Sequence, residues 1–452
     1  MTWVLFGVFL LALLSGLPIA YCLGIASVAY ILCSDISLSI VPQKMFYGID
    51  QFVLLAVPGF ILAGNLMNHS GISGRLIGFC RAITGHIRGG LGLVNVGSSM
   101  LFAGISGTAV SDTASMGTIM IPAMEKDGYD TDFACAVTAT SSTVGPIIPP
   151  SLPMIIAGTV SGLSVGKLFL AGAVPGLLLG AGLLLATWLL SVKRAYPKGE
   201  RSSMRQVAAA FASAFWSLLT PVIILFGIVG GVFTPTEASV VAVVYALVVG
   251  LLIHRELPLK KVPRIILDST ITTASLMVLV GLANLFGWLM TREQIPQAIA
   301  DSILGLTENP ILVLLLINVI LLIVGAFMET IAALMILFPV LLGVATQVGV
   351  DPIQFAVIVV LNLVIGLTTP PVGVCLFVAS SIGKISLGRI SRACLPLLLV
   401  SLTVLMLVTY IPAISTALPD WVERMKQSAP TSAGETSMDA YFYREAPVAE
   451  NV

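Results

Sequence analysis

Charge is scarce in this chain, and that scarcity excludes most soluble proteins. Only 10% of its 452 residues are Asp, Glu, Lys or Arg, where an ordinary soluble domain carries roughly 25%. The 22 basic and 22 acidic residues cancel, so no excess of one sign points to nucleic acid or another polyanion. Cys22, Cys33, Cys80, Cys135, Cys375 and Cys394 stand singly in apolar runs without a CxxC spacing. That pattern fits small buried hydrophobes better than a disulfide framework or a metal site. His69, His86 and His254 fall in or beside polar loops, and none has a second histidine at ligand spacing. The HExxH, GxSxG and GxGD patterns are absent too, which argues against the hydrolases that carry them. The first basic residue is Lys44. A cleaved signal peptide needs a positive start, so the first apolar segment is expected to stay as a membrane helix.

Apolar residues are what the chain has in excess. They make up 57% of it, with a mean hydropathy of +1.05. Residues 311–327 and 353–364 are apolar on nearly every face, a pattern that only lipid or neighbouring membrane helices satisfy. The fold class is therefore an all-α polytopic membrane protein.

The two halves repeat each other. At an offset of 221, Gly145 falls on Gly366, Pro149-Pro150 on Pro370-Pro371, and Pro175 on Pro396. At 217, Asp112-Thr113 meets Glu329-Thr330 and Pro122 meets Pro339. In so apolar a chain, a near-constant offset that aligns rare prolines, acids and glycines is informative. Each half reads as three scaffold helices, a short amphipathic segment, a re-entrant stretch, a Pro-Pro-broken helix and a last helix. The scaffold helices cover residues 1–67 and about 216–290. An interfacial arm lies at about 73–88, and the transport parts at about 90–192 and 310–412. The repeats divide at about residue 200, the second running over 201–424, and the polar tail over 425–452 is expected to be disordered. The stretches at 90–124 and 310–345 are each long enough for two half-depth helices, and the segments flanked by Arg75 and Arg88 and by Arg255 and Arg264 read as interfacial helices.

Five crossings per half turn the second repeat upside down relative to the first, an inverted-repeat plan. Arg75, Arg81, Arg88, Lys126, the basic residues of 193–205 and 255–264, and those of 384–392 fall on one side. The positive-inside rule makes that side cytoplasmic. Both termini, with Asp301, Glu308 and Asp351, then lie outside.

The run from Thr140 to Ser151 (TSSTVGPIIPPS) sits inside a membrane helix. A proline removes the amide that would bond the carbonyl four residues back. Pro149 thus frees the carbonyl of Gly145, and Pro150 that of Pro146. Pro153 frees Pro149, Pro370 frees Gly366 and Pro371 frees Leu367. Bare carbonyls in hydrocarbon cost several kcal/mol each, so a desolvated cation or hydroxyls of a facing segment must satisfy them, unless the prolines only kink helices for packing. The facing segments offer Gly104-Ile105-Ser106-Gly107-Thr108, Asp112 and the stretch from Gly325 to Thr330, neutral oxygens that suit an alkali cation. Asp112 and Glu329 are intramembrane acids and so candidate functional groups, with a structural role at a hairpin tip as the alternative. Ser142, Thr143, Asp112, Gly366 and Thr368 are the candidate substrate contacts, since no basic side chain is expected within the core. Glu237 and Arg292 read as a structural ion pair or a partner contact. The breaks favour alternating access, and a channel is the rival.

These residues carry a family resemblance. Gly104-Ile105-Ser106-Gly107-Thr108-Ala109, GPIIPPS from Gly145 to Ser151, GGVFTPTEA from Gly230 to Ala238 and GLTTPP from Gly366 to Pro371 resemble the large membrane subunit (the DctM-like M subunit) of tripartite ATP-independent periplasmic (TRAP) transporters, over about residues 1–424. The resemblance implies a sodium-coupled importer of organic acids such as sialic acid or dicarboxylates, working as an elevator in the bacterial inner membrane. It also implies a small four-helix membrane subunit and a periplasmic binding protein as partners. By position it implies one sodium site at Ser106, Thr108, Gly145, Ile148 and Pro150, and a second at Gly325, Glu329, Thr369 and Val372. A stand-alone sodium/dicarboxylate symporter of related fold is the alternative.

Overall fold

The computed structural model describes residues 2–307 and 309–428, apart from the side chains of 103–106, 306 and 427–428. The described residues are almost wholly helical, with no strand among them. Among the described residues, seven helices are long and apolar enough to cross a membrane, or eight if one bent pair counts as a single span.

The first half opens with α1 (Thr2–Leu14) and α2 (Ile19–Leu32), separated by the left-handed Gly16 and by Pro18. Next come α3 (Ile40–Ile49) and α4 (Ala56–Asn68), bent by 66° where Gln51 becomes extended. The amphipathic α5 (Ile72–Thr84) follows, then a helix hairpin, α6 (Gly90–Ser106) and α7 (Ala109–Lys126). A broken element, α8 (Thr131–Ser141) and α9 (Leu152–Ser161), leads to the long α10 (Val165–Lys193).

The second half repeats this order. It contains α11 (Met204–Val229), α12 (Pro235–Val248, extended by a π turn to Ile253) and α13 (Val262–Arg292). The amphipathic α14 (Ile295–Leu306) precedes the hairpin of α15 (Pro310–Phe327) and α16 (Thr330–Gln347). A second broken element, α17 (Pro352–Gly366) and α18 (Val374–Gly383), leads to α19 (Leu387–Tyr410) and a terminal α20 (Ala413–Ser428).

Packing sorts the helices into two groups. α2, α3 and α4 pack on α13, and α4 also packs on α12. In the other group the two hairpins pack on the two broken elements and on α10 and α19. The groups meet where α16 touches α13 and where α6 and α9 touch α4. Buried asparagines pin each hairpin to its break. Asn95 donates to the Thr138 hydroxyl at 2.6 Å, and Asn362 donates to the Asn318 side chain at 2.7 Å.

Four sequence expectations change. The stretch from Arg255 to Arg264 is not a separate interfacial helix: Pro263 sits in the first turn of α13, where its missing N–H costs nothing, and α13 runs unbroken for 31 residues. The scaffold over 1–67, expected as three helices, holds a fourth, α3 at Ile40–Ile49. The helices of both hairpins have 17 or 18 residues, about 26–27 Å at 1.5 Å per residue, longer than half-depth helices need. Residues 425–428 continue α20, whose amphipathic face packs on α10. The rest of the expected tail and Glu308 lie outside the described residues.

Candidate functional site

Each hairpin tip lies against a proline break. In the first half the tip residue Gly107 is left-handed, and a Cβ there would lie 3.1 Å from Leu152, just past the break. Gly107, Pro150 and Leu152 line one small cavity with Met67 of α4. In the second half a Cβ on Gly366 would lie 2.5 Å from the Gly325 carbonyl carbon, so two backbones touch with nothing between them. The Gly373 amide donates to the Ala326 carbonyl at 3.1 Å and fastens the two segments together. Pro149-Pro150 and Pro370-Pro371 both join through cis peptide bonds.

The freed carbonyls fare differently at the two breaks. Pro146 O accepts the Ser151 hydroxyl. Gly366 O accepts from Thr369 N at 2.9 Å, and Leu367 O from Cys375 N at 3.0 Å. The expectation that Gly366 offers a bare carbonyl is thereby corrected: the chain turns back within three residues and supplies the amide locally. Around Gly145, by contrast, no described residue donates to the freed carbonyl. The Gly325 carbonyl faces Gly366, and Thr369 and Val372 lie at the exposed mouth of the second break, Val372 with 38% of its surface open.

Asp112 is the most unusual group in the site. It is fully buried, with 0% exposure, and neither carboxylate oxygen has a hydrogen-bond partner among the described residues. The hydroxyls of Ser142 and Ser99 face it. Ser142 donates to Thr138 O at 2.8 Å, and the Ser99 and Ser141 hydroxyls lie 3.1 Å apart with either able to donate. An unpaired buried carboxylate costs several kcal/mol. Thr143 and Thr368 likewise donate backwards, to Thr140 O at 2.6 Å and Ile365 O at 2.9 Å. The hydroxyls at the breaks therefore turn lone pairs, not protons, toward anything bound between them.

Glu329 does not occupy the position of Asp112. It is the N-cap of α16, accepting from Ile331 N at 2.9 Å and Ala332 N at 3.2 Å. The N-cap of α7 is Thr108, which accepts from Ser111 N, so the structural counterpart of Glu329 is Thr108. Asp112 and Glu329 both precede a helix proline by ten residues, and the second hairpin has simply shifted both by about one helical turn. Ile148 is partly buried beside Gly176 of α10. The Ser106 side chain lies outside the described residues.

Glu237 and Arg292 form no ion pair. Glu237 closes a capping box at the start of α12, accepting the Thr234 amide at 2.8 Å, which holds its carboxylate over its own helix. Arg292 lies over the Trp288 ring, 5.9 Å from the centroid. The sequence reading missed Lys44, which sits 5.1 Å from the same ring. The available signal was its isolation, as the one basic residue before Arg75.

Apolar spanning helices, paired hairpins and broken helices with inward-turned polar backbone define a multi-pass membrane protein built for passage rather than catalysis. Residues 6–414 match the family described as "Tripartite ATP-independent periplasmic transporter, DctM component", and the chain belongs to that family. It is 43% identical over 409 residues to the sialic acid TRAP transporter large permease protein SiaM of Vibrio cholerae, covering 90% of this chain and 96% of that one. It is 38% identical over 432 residues to the C4-dicarboxylate TRAP transporter large permease protein DctM of Rhodobacter capsulatus, covering 92% and 98%. A crystal structure of the YdaH transporter of Alcanivorax borkumensis shares the fold at a TM-score of 0.57 and 16% identity, over 85% of this chain and 87% of that one. The chain is thus the large membrane component of a TRAP-type transporter, and not an enzyme.

Proposed function

We propose that this subunit imports a small organic acid by coupling its entry to sodium. The observation that carries the reading is the fully buried, unpartnered Asp112 beside the break that bears the unbonded Gly145 carbonyl. An anionic pocket walled by lone pairs suits a desolvated alkali cation, and it disfavours a carboxylate. Thr108, Gly145, Ile148 and Pro150 would provide the first sodium site with Ser106. Gly325, Thr369 and Val372 would provide the second, with Glu329 holding its helix end in place rather than ligating. The acids named for the two relatives, sialic acid and C4-dicarboxylates, support an organic acid as cargo.

The recurring element order at a near-constant offset supports two inverted repeats. With α3–α4, α8–α9 and α17–α18 each counted as one span and each hairpin returning to the side it entered from, there are five crossings per half besides the hairpins, and both termini face the periplasm across the bacterial inner membrane. In this reading the hairpins and breaks move as an elevator against α1–α4 and α11–α13. The word "tripartite" in the family description supports two partners, a small four-helix membrane subunit and a periplasmic binding protein that delivers the acid. Each net positive charge carried inward gains about 2.3 kcal/mol per 100 mV.

Uptake into vesicles holding the assembled transporter tests this. Accumulation should require sodium and the binding protein, and Pro150→Ala should weaken the sodium dependence. Uptake that persists with potassium replacing sodium on both sides sinks the coupling. Current without the binding protein would favour a channel.

A further inference from the structure

A crevice apart from the hairpin tips lies between the two helix groups. It has a volume of about 460 Å³ and runs between α3 and α13 on one side and α9 and α16 on the other. A second cavity of about 240 Å³ shares Gly287, Thr291, Met335 and Pro339 with it, so the two form one groove.

Lys44 lies in the wall of this groove and makes no ion pair among the described residues. Its place is set by a tight helix crossing. A Cβ on Gly48 would lie 2.5 Å from Asn284 Cβ, and one on Gly281 would lie 3.3 Å from Met45 O, so α3 presses directly onto α13. Lys44 precedes Gly48 by four residues and Trp288 follows Asn284 by four. The antiparallel crossing that seats Gly48 on Asn284 therefore stacks Lys44 on Trp288, 5.1 Å from the ring centroid, with Tyr47 at 5.9 Å. Asn284 also lines the groove and makes no side-chain hydrogen bond among the described residues. The neighbouring hydroxyls, Thr159 and Thr291, donate back to Ile155 O and Gly287 O. Lys44 is the one charged side chain among the residues described as lining the groove, and the Asn284 amide, the Tyr47 hydroxyl and the Trp288 indole N–H stand beside it as neutral donors, whereas Asp112 places a carboxylate beside the first break.

We propose that this groove is a binding site for the acid group of an organic anion, with Lys44 supplying the countercharge and Asn284 a second donor. The inference rests on the transport reading and gives that transport its anion-binding group. It also separates the two solutes: sodium between hairpin tips and breaks, the anion where the moving and fixed helices meet. Arg292 lies 5.9 Å from the centroid of the same Trp288 ring, a second cation on the aromatic that backs Lys44.

The test uses the full chain in lipid nanodiscs, reading tryptophan emission while N-acetylneuraminate, succinate and isethionate are titrated in, with choline chloride as the cationic control. At least one anion should change the emission saturably. The change should vanish in Trp288→Phe, shift to at least tenfold higher concentration in Lys44→Gln, and recover most of its affinity in Lys44→Arg. An unchanged dissociation constant in a folded Lys44→Gln, or no response to any of the three anions, overturns the site and leaves Lys44 as a stacked, structural cation. Saturable anion binding combined with uptake that ignores sodium would instead sink the coupling and leave this site standing.

Discussion

The two proline breaks follow one plan and end in opposite electrostatic conditions. At the second, the chain satisfies itself: Glu329 caps α16, Thr369 and Cys375 return amides to the freed carbonyls, and Gly373 ties the break to its hairpin. At the first, neither the Asp112 carboxylate nor the Gly145 carbonyl has a hydrogen-bond partner among the described residues, while Ser151 takes up the Pro146 carbonyl alone. The second break is also half open at Pro371 and Val372, whereas the first is enclosed by α10. Repetition of a fold motif therefore does not repeat its chemistry. A few side chains decide whether a break completes its own hydrogen bonding or leaves it for a bound solute.

The sharpest way to break this contrast is to exchange acids. Asp112→Asn should abolish sodium-dependent uptake, by a hundredfold or more, because it removes the one buried negative charge at the first break. Glu329→Asp should keep uptake within about threefold, since aspartate is an equally good N-cap. Equal losses in the two variants would show that both acids serve the ion directly.

Next in size is the effect on stability. Gly366→Ala drives a methyl group into the Gly325 backbone and should cost about 1–3 kcal/mol. Ser151→Ala strands the Pro146 carbonyl and removes the cap of α9, for a loss of about 1–3 kcal/mol. Thermal melts of both variants in detergent measure this. If Ser151→Ala were neutral, the first break would be more tolerant than its burial implies.

The smallest expected effect is at the entry to each broken element. Asp351 caps α17 through Ile353 N and Gln354 N, both within 3.0 Å. Its counterpart Asp130 instead accepts from Tyr196 at 2.7 Å and Arg194 at 3.0 Å. The Tyr196 hydroxyl first, and then Arg194, hold the Asp130 carboxyl below the usual carboxylate range. A depressed folded value stabilises above the unfolded value and is lost as pH falls through the folded one. Melting temperature should therefore fall between about pH 5 and pH 3 by an amount that Tyr196→Phe reduces. For so exposed a pair the effect is at most about 1 kcal/mol. An unchanged profile in Tyr196→Phe would remove this difference between the halves.

Much of this was legible in the residues. Hydropathy gave the spanning class, and the 221-residue offset aligned the prolines that end α8 and α17, because prolines and left-handed glycines act locally on the backbone. The offset of 217 misled for the acids, since a one-turn shift keeps a helix face while changing a cap into an interior position. Lys44 escaped notice because its role depends on α3 crossing α13 at Gly48, a contact made over more than two hundred residues of chain.

The sequence by itself determined that the chain lives in lipid, repeats its halves and breaks one helix in each, because composition, period and proline chemistry act over a few residues. The tertiary structure alone decided which freed carbonyls are answered, that Glu329 is a cap while Asp112 is left unpaired, and that a lysine and an asparagine share a groove. The donors that answer Glu329, Gly366 and Leu367 lie only two to eight residues away, but the packing of hairpin on break sets the backbone turn that brings them into range, and the Lys44–Asn284 groove needs a helix crossing between distant segments.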